Sequence, residues 1–404
     1  MRKTLGLDDY RARRDRVLAS LNGAVGMFFA GEAAVPADGA WKAHPTFEYL
    51  TGISNEPGAC VVFDPQAENP ARESMLFLRP LNPEIEVYDG RREVISGALR
   101  ERYGFRTVLR TNMLASTMTA LARKRKRLAC LHPFAVYDAP VSPDLALFRK
   151  VAERVPGVVI EDRSNVLALM RSCKDKKELG LMEEAMRITG AGFEAALKMI
   201  RPGVNEREIQ KVIEGRFERE GASGTAYGTI VGSGYNATVL HYHENNALVK
   251  DGDLICIDAG AKFGGYCADV TRTFPANGTF SKRQRELYEL VFEALEAAIS
   301  TVKPGKHLFH ADDAARAVLR KGGVEDKYVH GIGHQLGLEV HDVTPDDALK
   351  AGMVVTIEPG VYLPEEKIGI RIEDDILVTA KGNRNMTGGL VVREAREIER
   401  AMRG

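Results

Sequence analysis

Five short stretches decide how this chain is read: LICIDAG (254–260), CADVTRTF (267–274), HGIGHQLGLEVHD (330–342), VVTIEPG (354–360) and IGIRIEDD (368–375). They contribute, in order, Asp258, Asp269, His334, Glu358 and Glu373 as candidate metal ligands. Four carboxylates and one imidazole make a hard, oxygen-rich donor set, which suits two divalent cations sharing carboxylates better than one tetrahedral zinc. The pattern reads as the site of a hydrolase.

The acids fall in two matching halves. LICIDAG and YCADVTRTF are apolar runs separated by Gly260, Gly264 and Gly265, the signature of a β-hairpin with one Asp on each arm. VVTIEPGVY and IGIRIEDDILV repeat the plan, with Gly360 and Pro364 near the turn and one Glu on each arm. A single acid at a strand end is usually a turn residue or a solvated group. Four of them inside or beside β-branched runs are a different matter, because unpaired charge is rare there and convergent like charges need a counter-ion.

At 404 residues the chain suggests two domains, and 44% hydrophobic with 28% charged residues is ordinary for a globular protein. Zero formal net charge gives no bulk electrostatic argument for nucleic acid or for an anionic membrane. The basic run 123–127 reads as a solvated helix end. The first 21 residues lack an apolar core of signal-peptide length and no later stretch approaches a membrane span, so a cytoplasmic address is expected. Five scattered cysteines read as small buried hydrophobes in a reducing compartment.

Residues 8–21 fit a short amphipathic helix, and 24–30, 59–63, 75–78, 106–109, 128–131 and 157–160 fit buried strands. Helical patterns at 93–103 and 144–155 lie between them, so an α/β layer domain is expected over 1–165. A polar joint follows, and the second domain is expected over 166–404. Asp175 with Glu178, and Asn205 with Glu208, are capping pairs that open helices to about 200 and 220. TAYGTIVGSG and TVLHYHEN look like two strands, and 281–302 and 308–321 like two more helices. Helix pair, strands and hairpin, then helix pair, loop and hairpin, form a weak internal duplication. It predicts an antiparallel curved sheet with helices outside and the site on its inner face.

His330, His334 and His341 are spaced by four and seven, but Gly331 and Gly333 argue against a helix there. His334 is placed at the metal, with His330 and His341 lining the pocket. His241 is read on a strand with His243 on the same face. A neutral imidazole near substrate can donate to an oxyanion or pass a proton. His44, His132, His307 and His310 have no comparable acidic surroundings and read as structural. Arg371 shares the strand face of Glu373 and either holds a substrate carbonyl or carboxylate or pairs with a nearby acid.

With these residues in hand, the chain resembles the pita-bread metallopeptidases, the group of aminopeptidase P, prolidase and methionine aminopeptidase. YGTIVGSG, LHYHEN, DGDLICIDAG, GGYCADVTRTFP, HGIGHQLGLEVHD, TIEPGVY and GIRIEDD follow that pattern in order. FEYLTGISNEPGACVVFD and LRPLNPEIEVYDGRR resemble the preceding domain of aminopeptidase P. The resemblance implies an α/β N-terminal domain followed by an α+β pita-bread catalytic domain. It implies two divalent ions, most often Mn2+ with Co2+ or Zn2+ as alternatives, bridged by Asp269 and Glu373. Asp258 would complete one ion's ligands and His334 with Glu358 the other's. It further implies that His241 and His341 contact substrate or move protons, with His330 lining the site, Tyr227 near it and Arg371 at the prolyl side.

The activity expected is that of an Xaa-Pro aminopeptidase, with an Xaa-Pro dipeptidase as the close rival and an inactive binding scaffold of the same fold as a third reading. The partner is a peptide with proline second, without nucleic acid or membrane, and the resemblance makes a homodimer plausible. The segments 362–368 and that preceding His330 are short for aminopeptidases P.

Overall fold

The computed structural model describes residues 5–32, 41–134, 140–345 and 347–403. The chain divides into two compact units, Leu5–Arg171 and the residues from Ser172 onward. The helix Ser164–Ser172, which the expected joint at 165/166 cuts, ends at that division.

Six strands form the sheet of the first unit, each within a residue or two of the apolar runs that announce it: Val25–Phe29, Cys60–Phe63, Ser74–Leu78, Thr107–Arg110, Arg127–Cys130 and Val159–Asp162. The sheet is mixed: the first strand pairs antiparallel with the second and parallel with the fifth. A helix the periodicity reading omits, Leu114–Arg125, buries Leu114, Met118 and Ala122, a narrow i, i+4 stripe among Ser and Thr. The basic run ends it, with Lys126 in the left-handed region at φ 61°.

In the second unit the capping pairs work as the residues suggest. Asp175 and Asn205 accept from the first-turn backbone of helices Lys176–Leu197 and Glu206–Arg219, and Glu178 and Glu208 accept from the cap N–H groups. Helices Lys282–Thr301 and Leu308–Lys321 form the second pair. No helix among the described residues is long and apolar enough to cross a membrane.

Both acidic ribbons are hairpins whose strands bend part-way. Leu254–Ala259 pairs antiparallel with Val270–Pro275, and beyond the bend Ala261–Phe263 pairs with Tyr266–Cys267 across a Gly264-Gly265 turn. Both turn glycines have positive φ, 56° and 88°, as a two-residue hairpin turn needs. In the second ribbon Val354–Ile357 pairs with Asp374–Val378, and Gly360–Leu363 with Ile368–Arg371. Asp269, Glu358 and Glu373 occupy the breaks between these short strands, and Asp258 lies one residue before the end of its own.

Strand alternation then sorts the side chains. Ile255 and Ile257, Val270 and Phe274, Val355 and Ile357, and Ile368, Ile370 and Ile372 join the core with helix residues such as Phe193, Ile213 and Val291. The intervening positions carry Asp258, Thr271, Thr356, Arg371 and Glu373 to the other face.

One expected strand is absent. After Ile230–Ser233 the chain enters a 3-10 turn, Gly234–Thr238, and 239–247 is irregular, so His241 and His243 lie on a loop. The reason is that side chains occupy the strand's outer edge. Val231 N–H donates to Asn245 Oδ1 at 2.9 Å, Asn245 Nδ2 donates to the Thr229 carbonyl at 2.7 Å, and Ser233 N–H donates to Glu206 at 2.7 Å. A backbone partner has nothing left to pair with.

Gly260, at the first bend, tests how tightly the ribbon is folded. A Cβ there would lie 1.8 Å from the Ala268 carbonyl oxygen, a backbone atom that cannot rotate away. Gly260→Ala is expected to cost about 2–4 kcal/mol in denaturant unfolding. Gly382→Ala, with nothing within 4 Å, should stay within about 0.5 kcal/mol. Equal midpoints for the two would contradict the packing described.

Candidate metal centre

The two ribbons and the loop 328–342 converge on one cavity of about 580 Å³. Asp258, Asp269, His334, Glu358 and Glu373 all line it, as do Tyr227, His241, His330, His341 and Arg371. His243 lines it too. None of His44, His132, His307 and His310 does. His132 Nε2 accepts from Phe29 N–H at 3.0 Å and His44 caps the helix Pro45–Thr51, both structural uses.

His334 comes from a loop that is fastened as an extra edge to the second ribbon. Leu336 N–H donates to Val354 O and Thr356 N–H to His334 O, each at 2.9 Å, while His334 N–H donates to Thr356 Oγ1 at 3.0 Å. Gly333, at φ 151°, passes so close that a Cβ would lie 2.1 Å from the Thr356 carbonyl. Behind the loop, Lys174 pairs with Asp342 at 3.2 Å, both side chains 1% exposed.

The donor atoms are spaced as ligands rather than as hydrogen-bonded partners. His334 Nε2 stands 3.5 Å from Asp269 Oδ2 and 3.7 Å from Glu358 Oε1, and single donor atoms of Asp269, His334 and Glu373 lie within 4.8 Å of one another. Atoms bound at about 2.0–2.3 Å to a shared cation are separated by roughly 3–4.5 Å. Tyr227 adds a second sign. Its hydroxyl lies 2.5 Å from both Asp258 Oδ1 and Asp269 Oδ1, yet one phenolic proton serves only one of them. The residues present therefore fit cations.

Positive charge from the protein is scarce. Arg371 Nη2 pairs with Asp258 Oδ2 at 2.7 Å, so the ion-pair reading of this arginine is realised. Asp269, Glu358 and Glu373 have no Lys or Arg partner among the described residues. Burial first, and then neighbouring carboxylates, push Asp269 and Glu373 well above the usual carboxylate range. Burial lifts Glu358 to about 7. Burial and then His341 lower His334 to about 4, which keeps its ring neutral, as a ligand must be.

Several groups that no motif singles out hold this set in place. Thr271 Oγ1 donates to Glu373 Oε2 at 2.7 Å and accepts from Arg371 Nε at 3.2 Å. Asp375 Oδ2 accepts from Asp269 N–H at 3.2 Å. On the core side Arg272 pairs with Asp374 at 2.6 Å with both side chains fully buried, tying the ribbons together. Thr271 and Asp375 each lie two residues past a candidate ligand, Asp269 and Glu373, so position marks both, but their hydrogen-bond partners come from the fold.

The histidines divide by their engagement. His330 Nδ1 lies 2.8 Å from the Gly331 carbonyl, which can only accept, so Nδ1 carries the proton and Nε2 accepts from Tyr362 Oη at 2.8 Å. Tyr362 Oη in turn accepts from Arg371 Nη1 at 3.1 Å. This chain runs in one direction and leaves no His330 nitrogen for substrate. His341 is exposed and lies with its ring 4.0 Å from that of His334, and His241 is exposed.

Comparison with known proteins follows the same division of the chain. Residues 180–380 match the model of metallopeptidase family M24, and 10–129 that of the aminopeptidase P N-terminal domain. The Xaa-Pro aminopeptidase of Haemophilus influenzae is 34% identical across 98% of this chain and 97% of its own. The chain belongs to metallopeptidase family M24. Among solved members, a zinc-substituted Escherichia coli aminopeptidase P in complex with product superposes with a TM-score of 0.85 at 30% identity, covering 99% of this chain and 98% of the other. The Xaa-Pro dipeptidase of Pyrococcus furiosus is 36% identical over only 55% of this chain and 65% of its own. As in M24 generally, the chain is a metallopeptidase that works with divalent metal ions.

The raised carboxyls have a measurable consequence. Without metal, Asp269, Glu373 and Glu358 keep protons at pH values where ordinary carboxylates have lost them, and a cation must expel those protons to bind. Affinity of the metal-free protein for Mn2+ should therefore rise from pH 6 to pH 8, with more protons released per ion at pH 6. Calorimetric titration in two buffers of different ionisation enthalpy reads both; pH-independent binding without proton release would contradict it.

Proposed function

We propose that this chain is an Xaa-Pro aminopeptidase, removing one residue from peptides whose second residue is proline. Similarity along the whole chain carries the reading. It includes the N-terminal unit, which matches the aminopeptidase P N-terminal domain, whereas the Pyrococcus furiosus dipeptidase matches 55% of the chain.

In this reading Asp258, Asp269, His334, Glu358 and Glu373 would hold two divalent cations. Two such ions make hydroxide available near neutrality and polarise a peptide carbonyl. The protein's own groups orient and move protons around that chemistry. Glu358 takes a proton from the attacking water and returns it to the leaving prolyl nitrogen. His241 and His341, exposed on the cavity wall, donate to the developing oxyanion and hold the substrate carbonyl. Arg371 keeps Asp258 in place and, through Tyr362, keeps His330 neutral, so that the His330 ring offers the prolyl ring an uncharged face. Tyr227 spans Asp258 and Asp269 and sets their spacing.

Manganese is proposed as the native metal because the donor set is mainly oxygen; Co2+ and Zn2+ are the alternatives. A cytoplasmic homodimer completes the reading: all five cysteines are free thiols, in keeping with a reducing compartment, and the dimer rests on family resemblance.

With Mn2+ supplied, Xaa-Pro-Yaa-Zaa should be cut between Xaa and Pro faster than the dipeptide Xaa-Pro. Turnover confined to the dipeptide would make the protein a dipeptidase, and failure to bind or respond to any divalent metal would favour an inactive scaffold. Glu373→Ala should lower kcat by roughly a thousandfold or more, the several kcal/mol a catalytic cation supplies. A near-normal rate in that variant would refute the ligand assignment.

A further inference from the structure

Glu206 is the first residue of the helix Glu206–Arg219, is fully buried, and does not line the cavity. Its carboxylate collects five hydrogen bonds. Oε1 accepts from Ser233 N–H and Ser233 Oγ, each at 2.7 Å, and from Asn236 Nδ2 at 3.2 Å. Oε2 accepts from Tyr242 Oη at 3.0 Å and Ala247 N–H at 2.9 Å. No Lys or Arg pairs with it among the described residues, so these donors and the positive end of its own helix are what balance the buried charge.

All five donors belong to one segment, 233–247, which runs from the end of the strand Ile230–Ser233 through the 3-10 turn into the irregular loop that carries His241 next to Tyr242. Backbone bonds hold its far end, where Glu206 N–H donates to Ala247 O at 3.0 Å and Asn205 bridges Leu248, but its middle has no ladder. The first turn of the same helix grips it further: Asn205 Nδ2 donates to Asn246 O at 2.8 Å, Arg207 donates to the Glu244 carbonyl, and Gln210 Oε1 accepts from Asn245 Nδ2 at 3.0 Å. Glu206 differs from these in joining both ends of the loop to its middle. Ser233 N–H on Oε1 and Ala247 N–H on Oε2 can only donate, so the position calls for a group with two accepting oxygens.

We infer that Glu206 is a positioning residue for the reaction proposed above: through Tyr242 it fixes the loop so that His241 faces the scissile carbonyl. The inference rests on that reading for the role of His241, and on hydrogen-bond geometry for the role of Glu206. Gln at 206 would keep the shape but turn an NH2 towards N–H donors, releasing one side of the clamp.

A double-mutant cycle separates positioning from general support. Glu206→Gln should lower kcat on an Xaa-Pro-Yaa peptide about tenfold with KM changed less, and Tyr242→Phe about threefold. In the His241→Ala background each substitution should change kcat less than about twofold. Equal losses in both backgrounds would overturn the inference, because Glu206 would then act on the enzyme as a whole. If Glu206→Gln does not fold, Tyr242→Phe decides by the same criterion. A substrate-free readout keeps the two readings apart. In protein with ring-labelled histidine, the His241 imidazole NMR signal, assigned by its loss in His241→Ala, should shift or broaden in Glu206→Gln or Tyr242→Phe. An unchanged signal refutes the clamp even if Xaa-Pro cleavage is confirmed, whereas a shifted signal in a protein that cleaves no Xaa-Pro peptide refutes the proposed function alone.

Discussion

Everything in the second unit answers to the crowding of four carboxylates around one imidazole in a buried pocket. Among the described residues, protein cations relieve only one of the four, through Arg371 and Asp258. Tyr227 relieves part of the Asp258–Asp269 contact with a single proton. The remaining cost appears as carboxyls held far above their ordinary range, a state that divalent cations convert into a bound centre. Such a site is tolerable only if the scaffold prevents the acids from moving apart.

Bent ribbons supply that restraint. The hydrophobic face of each strand is committed to the helix pairs, so the opposite face cannot turn away without exposing isoleucines and valines. The breaks that carry Asp269, Glu358 and Glu373 are equally committed, because Gly260 and Gly333 let backbones approach where a Cβ has no room. Arg272 with Asp374, and Lys174 with Asp342, lock the reverse of the ribbons and of the His334 loop. A buried pair of this kind contributes little net stability, but breaking it leaves a stranded charge, which makes it a device for fixing geometry.

Proton bookkeeping distinguishes side chains that composition makes equivalent. His330 spends both nitrogens on Gly331 and Tyr362, so it is a wall, whereas His241 and His341 face the cavity exposed. Arg371 likewise is engaged at all three nitrogens, by Asp258, Tyr362 and Thr271, and acts through what it holds. Apart from Gly331, which adjoins His330, the partners that make these distinctions lie 9 to 113 residues away in the chain.

The residues alone were enough to identify both acidic hairpins, because a period-2 apolar pattern interrupted by glycine has one stable use. The capped helices were equally legible, since Asp175 with Glu178 and Asn205 with Glu208 are local devices whose partners lie three residues apart. That Asp258, Asp269, His334, Glu358 and Glu373 meet at one cavity was foreshadowed by acids set inside or beside apolar β-branched runs. What lay beyond local pattern was decided in three dimensions. The 239–247 run looks like a strand and is a loop, because Asn245 and Glu206 fill the edge it would have paired with. The supports of the site, Thr271, Asp375, Lys174 and Glu206, are ordinary polar residues in sequence. They acquire their roles from distant backbone groups and charges that only the folded chain brings within hydrogen-bond reach.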